Sequence, residues 1–259
     1  MGIKQSVCYP ILKPGSMDID TFFGAAADIG YGAVEMWGRG DDFMSVVKAA
    51  GARKLKIVSM VGTGSLDSGL NSRENHAKIE GELRASIDIA ADHGMAGVIC
   101  FSGNRRPHLS DEEGAVNTAE GLCRIAPYAE RKGVNVNLEL LNSKVDHKGY
   151  QCDHTAWAAS VQKKVNSPRV KMLYDIYHMQ IMEGDIIRTI RENVGRIGHF
   201  HTAGVPGRND MDDTQELNYR AIAQAISATG YDLYVGHEFS PKGDVLAALR
   251  RTFDLFNVE

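Results

Sequence analysis

The chain has 259 residues, with 29 Lys and Arg against 33 Asp and Glu, a formal charge of −4 and a hydrophobic content of 43%. This composition excludes a disordered chain, which carries fewer apolar residues and a larger net charge. The 27 Gly and 7 Pro are scattered without a period, which excludes a collagen-like or low-complexity chain. No apolar run approaches the roughly 20 residues that span a bilayer, so we expect no membrane segment. The mild acidity argues against a nucleic-acid partner, because such proteins usually present a basic face.

The four cysteines are too few for a disulfide scaffold, and no two of them form a C-x-x-C pair. Thiols in a reducing compartment are therefore expected. The first residues begin a strand-like segment and lack the charged and apolar regions of a signal peptide. We therefore expect a cytoplasmic protein, and an export signal that has already been removed stays an open alternative.

A short apolar run followed by a helical pattern recurs roughly every 30 residues, the size of a βα unit. Strands are predicted over residues 6–11, 33–37, 56–61, 97–101, 135–141, 170–177, 196–202 and 231–239. Helices are predicted over residues 20–29, 42–50, 72–93, 154–165, 184–193 and 245–256, with one more around residues 222–226. A further helix is predicted to open at Ser110, because Ser110 and Glu113 form a capping-box pattern.

Eight strands that alternate with eight helices predict a (β/α)₈ TIM barrel, and about 250 residues is the usual length of that fold. A doubly wound open sheet is the alternative. It lacks its best support, because no G-x-G-x-x-G opens a helix after the first strand. The length also allows two smaller domains, but no linker or break in composition is visible. We therefore predict one domain over residues 1–259.

Polar residues stand where four consecutive predicted strands end: Glu139, Asp175, His201 and Glu238. Because side chains alternate along a strand, each of these residues falls on the face that points into the barrel. Gly236 is expected to leave room beneath the carboxylate of Glu238. Since the chemistry of TIM barrels lies at the carboxyl ends of the strands, we expect the four side chains to meet in one site.

The expected site holds three carboxylates, which cannot stay ionised together in an enclosed space without a counter-charge. One divalent cation supplies that charge, and three carboxylates with one imidazole suit Mn²⁺, Mg²⁺ or Co²⁺. Octahedral coordination leaves two positions for the oxygens of an α-hydroxy ketone or aldehyde. The competing interpretation of any one such residue is a solvated loop residue or a helix cap.

Five further residues near the strand ends are candidates for binding the substrate or supporting the site. His178 follows Asp175 by three residues, and Arg208 lies in a turn after the seventh strand, where it can bind a carboxylate or hydroxyl group. Glu216 is expected either to pair with Arg208 or to lie in the first turn of a helix. Glu35 ends the second strand and can face the pocket. Asn142 fits either a supporting position or a turn.

Five segments together resemble the xylose-isomerase-like TIM barrels, and they are most similar to the hydroxypyruvate isomerase group. They are LELLN at 138–142, YDIYHMQ at 174–180, HFH at 199–201, PGRN at 206–209 and GHEF at 236–239. The resemblance extends over most of the chain and is strongest between residues 134 and 242.

The resemblance implies that the four strand-end residues are the metal ligands, with Glu139 and Glu238 as the pair of acid/base carboxylates. It also implies that His178 and Arg208 contact the substrate. The sequence departs from the pattern at one position, because hydroxypyruvate isomerases often carry Gln where His201 stands. A histidine there is more like the ketose 3-epimerases.

The predicted activity is the isomerisation of hydroxypyruvate to tartronate semialdehyde through an enediolate. A ketose 3-epimerase and a lyase of 3-keto glycosides are alternatives that use the same chemistry. From other classes, an endonuclease IV-like phosphodiesterase and a non-catalytic sugar-binding barrel stay open, and the acidic charge argues against the first. The expected partner is a small hydroxy-keto acid or keto-sugar, and a homo-oligomer is allowed because such barrels frequently associate.

Overall fold

The computed structural model describes residues 2–64 and 66–258, and within them eight parallel strands close into one barrel in the order β1 to β8. The strands are β1 Lys4–Cys8, β2 Ala33–Met36, β3 Lys56–Val61, β4 Gly97–Cys100, β5 Asn135–Glu139, β6 Val170–Asp175, β7 Ile197–Thr202 and β8 Tyr234–His237. The helices are α1 Tyr9–Leu12, α2 Ile19–Ile29, α3 Phe43–Ala52, α4 His76–Asp92, α5 Asp111–Lys132, α6 Thr155–Val165, α7 Ile176–Met182, α8 Ile186–Asn193, α9 Tyr219–Ala228 and α10 Val245–Phe256. The prediction of a single-domain (β/α)₈ barrel is confirmed.

Six of the eight predicted strands continue too far at their carboxyl ends, whereas β3 and β7 end where predicted, and the reason differs between strands. The first was predicted over residues 6–11, but β1 ends at Cys8 and Pro10 lies in the first turn of the short helix α1. Proline cannot donate to a strand ladder, and its fixed φ suits the first turn of a helix. The sixth was predicted over residues 170–177, but Asp175 ends β6 because its Oδ1 accepts the backbone N–H of His178 and caps α7.

The expected helix starts agree better with the structure where a capping residue marks them. Ser110 Oγ accepts the N–H of Glu113, and Glu113 Oε2 accepts the N–H of Ser110, so the predicted capping box opens α5. The predicted helix over residues 72–93 instead begins with a short 3₁₀ turn, Arg73–Asn75, before α4. Helices α1 and α7 were not predicted, since both follow a strand without any connecting loop.

The tilt of the strands determines how the four strand-end residues meet. In the strand register Glu139 is opposite Leu173, Asp175 is opposite His201, and His201 is opposite Gly236. Along the ladder, Glu139 is thus offset by two residues from Asp175 on the next strand, and Glu238 is offset by two residues from His201. Strands in a closed barrel are tilted and staggered, so residues at different ladder positions reach the same height along the barrel axis.

The core has two parts, an apolar layer between the barrel and the helices and a polar interior near the carboxyl ends of the strands. The apolar layer includes fully buried Phe22, Phe23, Phe200 and Phe256. The barrel interior holds buried Ser6, Glu35, His199 and His201 instead. None of the described helices is both long enough and apolar enough to cross a membrane.

Candidate active site at the carboxyl ends of the strands

The structure brings the four predicted ligands into one buried cluster, which we call the acidic cluster: Glu139, Asp175, His201 and Glu238. Each offers one ligand atom, and these four atoms lie within 4.8 Å of one another. All four side chains are at most 7% exposed. The strand-end pattern thus predicted which side chains would meet.

A hydrogen bond from strand β2, across the closure of the barrel, fixes the orientation of His201. Its Nε2 lies 3.0 Å from Glu35 Oε2, and the same oxygen lies 2.8 Å from Nε2 of His199. The other carboxylate oxygen of Glu35 accepts the hydroxyl of Ser6. The Nδ1 atom of His201 therefore faces the acidic cluster, 3.2 Å from Glu238 Oε2 and 3.4 Å from Glu139 Oε1.

Room for Glu35 comes from Gly236, and here the sequence-based expectation was wrong. A Cβ at position 236 would collide with Glu35 Oε1 and would lie 3.0 Å from His199 Nε2. The glycine therefore makes space for Glu35 and His199 inside the barrel, rather than for Glu238 above it.

The electrostatics of the acidic cluster reflect crowded carboxylates in a dry interior. Burial, reinforced by the charges of Glu238 and Glu139, raises the pKa of Asp175 to about 7 despite nearby Arg208 and His201. Burial also opposes ionisation of Glu238, but His201 and Arg208 outweigh it and hold the pKa of that carboxyl well below its usual range. The pKa of His201 is raised well above its usual value, because Glu238 and Glu35 outweigh the effect of burial.

The donor set fits a divalent cation, as an unpartnered buried atom shows. His201 Nδ1 is buried and makes no hydrogen bond to any group in the described part of the chain, although it faces two carboxylates. Metal-bound histidines almost always donate their second ring N–H to a carboxylate, a backbone carbonyl or water, and His201 Nε2 has the first of these relations to Glu35. Three carboxylates and one imidazole form a ligand set suited to hard and borderline cations.

Glu238 is held from two sides by groups that do not belong to the acidic cluster. Arg208 Nη2 donates to its Oε2 at 2.6 Å, and Trp37 Nε1 donates to its Oε1 at 2.6 Å. Arg208 adopts a left-handed backbone conformation, with φ of 57°, that follows Gly207 in the turn. Its Nε is buried and is without a partner among the described residues.

His178 lies beside the acidic cluster, as predicted, and its ring is completely buried. Its Nε2 lies 3.6 Å from Asp175 Oδ2, and Asn142 Nδ2 lies 2.7 Å from its Nδ1. Burial, reinforced by the charge of Arg208, lowers the pKa of His178 well below its usual value. This direction favours the neutral form of the imidazole.

Glu216 is the one predicted site residue that the structure places apart from the others. It is exposed in the loop before α9, and its Oε1 accepts from Gln180 Nε2 at 3.1 Å. Within the described chain, the carboxylate partners of Arg208 are Glu238 and Asp175, so the expected pair with Glu216 does not form. Nor does Glu216 lie in a first helical turn, since α9 begins at Tyr219.

A cavity of about 750 Å³ opens onto the acidic cluster. Its lining includes acidic-cluster side chains, the Arg208 guanidinium, further polar side chains such as Arg39, Glu82 and His147, and an apolar wall. The wall includes Trp37, Val61, Ile99, Phe101 and Leu141. A volume in this range accommodates a small organic substrate, and the few polar groups can fix its orientation.

Comparison with known proteins identifies the family. The family model described as xylose isomerase-like TIM barrel matches residues 23–255. The chain belongs to the xylose isomerase-like TIM barrel family. The match contains the complete acidic cluster, Arg208 and His178.

Curated relatives of this xylose isomerase-like barrel are named as isomerases, which supports the prediction of an isomerase. The 2-oxo-tetronate isomerase of Cupriavidus necator is 33% identical over 179 residues, which cover 66% of each chain. The putative hydroxypyruvate isomerase of Xenopus laevis is 28% identical over 250 residues, which cover 92% of this chain and 90% of that one. The hydroxypyruvate isomerase of Escherichia coli K12 is 30% identical over 168 residues, with 65% and 64% covered.

Solved structures add support for the fold alone, because their identity is low. The AP endonuclease, family 2, from Brucella melitensis superposes with a TM-score of 0.85 at 23% identity and full coverage of both chains. The 3-keto-D-glucoside 4-epimerase of Escherichia coli superposes with a TM-score of 0.78 at 21% identity, with 99% and 98% covered. Proteins with different names thus share this barrel, so the reaction must be argued from the site.

Proposed function

We propose that this protein is a metal-dependent isomerase of a small α-hydroxy carbonyl compound, with hydroxypyruvate as substrate and tartronate semialdehyde as product. One observation carries the proposal: two glutamates, Glu139 and Glu238, flank the inward-facing Nδ1 of His201 at the end of a cavity. Two carboxylates at one reacting centre are suited to removing a proton from one carbon and returning it to the next. The names of the curated relatives agree with this class of reaction.

Glu139, Asp175, His201 and Glu238 would hold one divalent cation, of the class of Mn²⁺, Mg²⁺ or Co²⁺. Such a cation would polarise the substrate carbonyl and increase the acidity of the neighbouring C–H bond. The remaining chemistry is proton transfer by side chains of this chain.

The reaction moves two protons and leaves the composition of the substrate unchanged. One glutamate takes a proton from C3 of hydroxypyruvate, which yields the enediolate, and the other supplies a proton to C2. The C3 hydroxyl loses its proton as it becomes the aldehyde, and the C2 oxygen gains one as it becomes a hydroxyl. Each proton transfer by a positioned carboxyl group contributes roughly 10²–10⁴-fold to the rate.

Arg208 is proposed to bind the substrate carboxylate. Its guanidinium lines the cavity, and its Nε–H lacks a partner among the described residues while Nη2 holds Glu238. Guanidinium groups bind carboxylates with two parallel hydrogen bonds, which fixes orientation as well as charge. A hydroxy-keto acid would thus be held with its carboxylate toward Arg208 and its carbonyl toward the acidic cluster.

Solvent exchange tests the proposal directly. In deuterium oxide with Mg²⁺, the wild-type protein should incorporate deuterium at C3 of hydroxypyruvate and at C2 of the tartronate semialdehyde product, as read by proton NMR. Glu139→Gln and Glu238→Gln should each abolish the exchange, while Glu192→Gln on the exposed face of α8 is the matched control. Metal content measured on each variant separates loss of the base from loss of a ligand. Exchange retained in both cluster variants would end this mechanism.

The alternative activities differ in measurable ways. Ketohexoses and 3-keto sugars assayed beside hydroxypyruvate test the epimerase and lyase alternatives, because the same two glutamates would serve them. About three zinc ions per chain, with cleavage of damaged DNA, would favour the endonuclease IV-like phosphodiesterase instead.

A further inference from the structure

The orientation of the Asn142 side chain is determined by its backbone neighbours. Its Oδ1 accepts the N–H of Val145 at 3.0 Å and the N–H of Asp146 at 2.9 Å. A backbone N–H can only donate, so the atom facing these two groups must be the amide oxygen. The Nδ2 group therefore faces the other way, toward His178.

This orientation fixes the tautomer of His178. The Nδ2 group of Asn142 can only donate, and it lies 2.7 Å from Nδ1 of His178 and 2.6 Å from Oδ2 of Asp146. Nδ1 must then be an unprotonated acceptor, so the ring is neutral and its single proton is on Nε2. Asp146 is itself fixed, because the hydroxyl of Tyr177 donates to the same Oδ2 at 2.8 Å.

The Nε2–H of His178 has no hydrogen-bond acceptor within the described chain, although the ring is completely buried. A buried donor without a partner costs about 1–3 kcal/mol, so such groups are rare unless a ligand satisfies them. The nearest carboxylate oxygen, Asp175 Oδ2, lies 3.6 Å away, so the donor stands directly beside the acidic cluster.

We propose that Asn142 is a positioning residue that holds His178 as a neutral N–H donor for a substrate oxygen beside the acidic cluster. The inference rests on the proposed function for the identity of that substrate, but the tautomer follows from the hydrogen bonds alone. An occupant of this position must present an acceptor: a hydroxyl, carbonyl or carboxylate oxygen. His178 consequently serves neither as the base of the reaction nor as a fifth metal ligand, since both roles need a lone pair on Nε2.

The ring of His201 is held through the other nitrogen than the ring of His178. Glu35 accepts from its Nε2, so Nδ1 is the nitrogen that faces the acidic cluster. The supporting residues of His178 and His201 thus bind opposite nitrogens of the two rings. His178 presents Nε2 to the site, and His201 presents Nδ1, which would be a metal ligand once it has lost its proton.

A pair of variants tests the role of Asn142. In Asn142→Asp combined with Asp146→Asn, the net charge is unchanged and one carboxylate oxygen keeps the two backbone N–H bonds. The second oxygen can only accept, so Nδ1 of His178 must gain the proton. In the matched control Asp146→Asn alone, Asn142 still donates to Nδ1, and the tautomer should not change. Long-range ¹H–¹⁵N correlation spectra of the metal-free proteins at mildly alkaline pH report the tautomer, with the His178 signals assigned by their loss in His178→Gln.

We expect unprotonated Nδ1 in the wild type and in Asp146→Asn, and protonated Nδ1 in the double variant. With hydroxypyruvate, kcat/KM of the double variant should fall about 10- to 100-fold, mainly through KM, because a hydrogen-bond donor becomes a lone pair. A wild-type spectrum with the proton on Nδ1 would overturn the inference without any variant, as would a folded double variant with unprotonated Nδ1. If the wild type lacked isomerase activity, the proposed function would fail while the tautomer result would still stand.

Discussion

Replacement of Glu35 tests how far the support of His201 controls the affinity for a metal. Glu35 is 2% exposed and accepts from His201 and His199 on one oxygen. In Glu35→Ala both imidazole N–H groups lose their acceptor inside the barrel. Each buried donor left unpaired costs about 1–3 kcal/mol, so the free energy of unfolding should fall by about 2–6 kcal/mol.

The effect on the metal follows from the same contact. Residues that orient a metal-bound histidine typically contribute 10- to 100-fold to metal affinity. We therefore expect the dissociation constant for Mn²⁺, measured by titration calorimetry, to rise about 10- to 100-fold in Glu35→Ala, which corresponds to about 1.4–2.8 kcal/mol. The heat of binding reports the site directly and needs no enzymatic assay.

Glu35→Gln is the matched variant, because the amide can keep every hydrogen bond. Its oxygen can accept from both histidines, and its NH₂ group can donate to the hydroxyl of Ser6, which is free to rotate. Only the negative charge is lost, so Mn²⁺ affinity should fall less than in Glu35→Ala and the free energy of unfolding should change little. The reasoning is refuted if Glu35→Ala is folded by circular dichroism and binds Mn²⁺ as tightly as the wild type.

Three further predictions concern stability and substrate binding. Burial raises the pKa of Asp153, but hydrogen bonds from the guanidinium, hydroxyl and imidazole groups around it outweigh burial and lower that pKa. Ionised Asp153 therefore stabilises the fold fully above the unfolded pKa of about 3.9, and this stabilisation is lost as the pH falls through the folded pKa. In urea unfolding, Asp153→Asn should be about 1–3 kcal/mol less stable than the wild type at pH 7. The gap in stability between the two proteins should close in acid. A gap that widened in acid would contradict this sign. Gly236→Ala should lower the free energy of unfolding by about 1–3 kcal/mol, because the added methyl collides with Glu35. In the control Gly32→Ala the added methyl has open space, so the free energy of unfolding should change by no more than about 0.5 kcal/mol. Arg208→Lys should raise KM for hydroxypyruvate about tenfold or more through loss of the bidentate fork, and an unchanged KM would exclude Arg208 as the carboxylate-binding group.

The sequence was sufficient to predict the barrel and the four residues of the acidic cluster, because both follow from local periodicity. Alternation along a strand decides which side chains face inward, and it held for Glu139, Asp175 and His201 to the ends of their strands. Strand ends were less predictable, since they depend on a single residue. Pro10 favours the helix that follows β1, and Asp175 is at once the last strand residue, a helix cap and a member of the acidic cluster.

The supporting residues could not be assigned from sequence, because their roles depend on contacts between distant segments. Glu35 was visible as an inward-facing residue at the end of β2, but its partner His201 is 166 residues away. Asn142 was ambiguous between a turn and a supporting role, and the structure shows both: its oxygen closes the turn while its NH₂ group orients His178. The predicted pair of Glu216 with Arg208 was wrong for the same reason, since only the path of the loop decides whether the two side chains meet.

Closure of the barrel is what joins these supports to the acidic cluster. Strand β8 pairs with β1 as well as β7, so the first two strands stand beside the last two. Trp37 therefore reaches Glu238, and Glu35 reaches His201, across more than half of the sequence. In an open doubly wound sheet with the same elements, the first and last strands would not be paired around a common interior, and both contacts would be lost. The four ligands come from β5 to β8 and the loop that follows it, but two of the residues that orient them, Glu35 and Trp37, come from the other half of the chain. A variant that disrupts the pairing of β1 with β8 should thus disturb the contacts of Trp37 and Glu35 with the acidic cluster before it unfolds the helices.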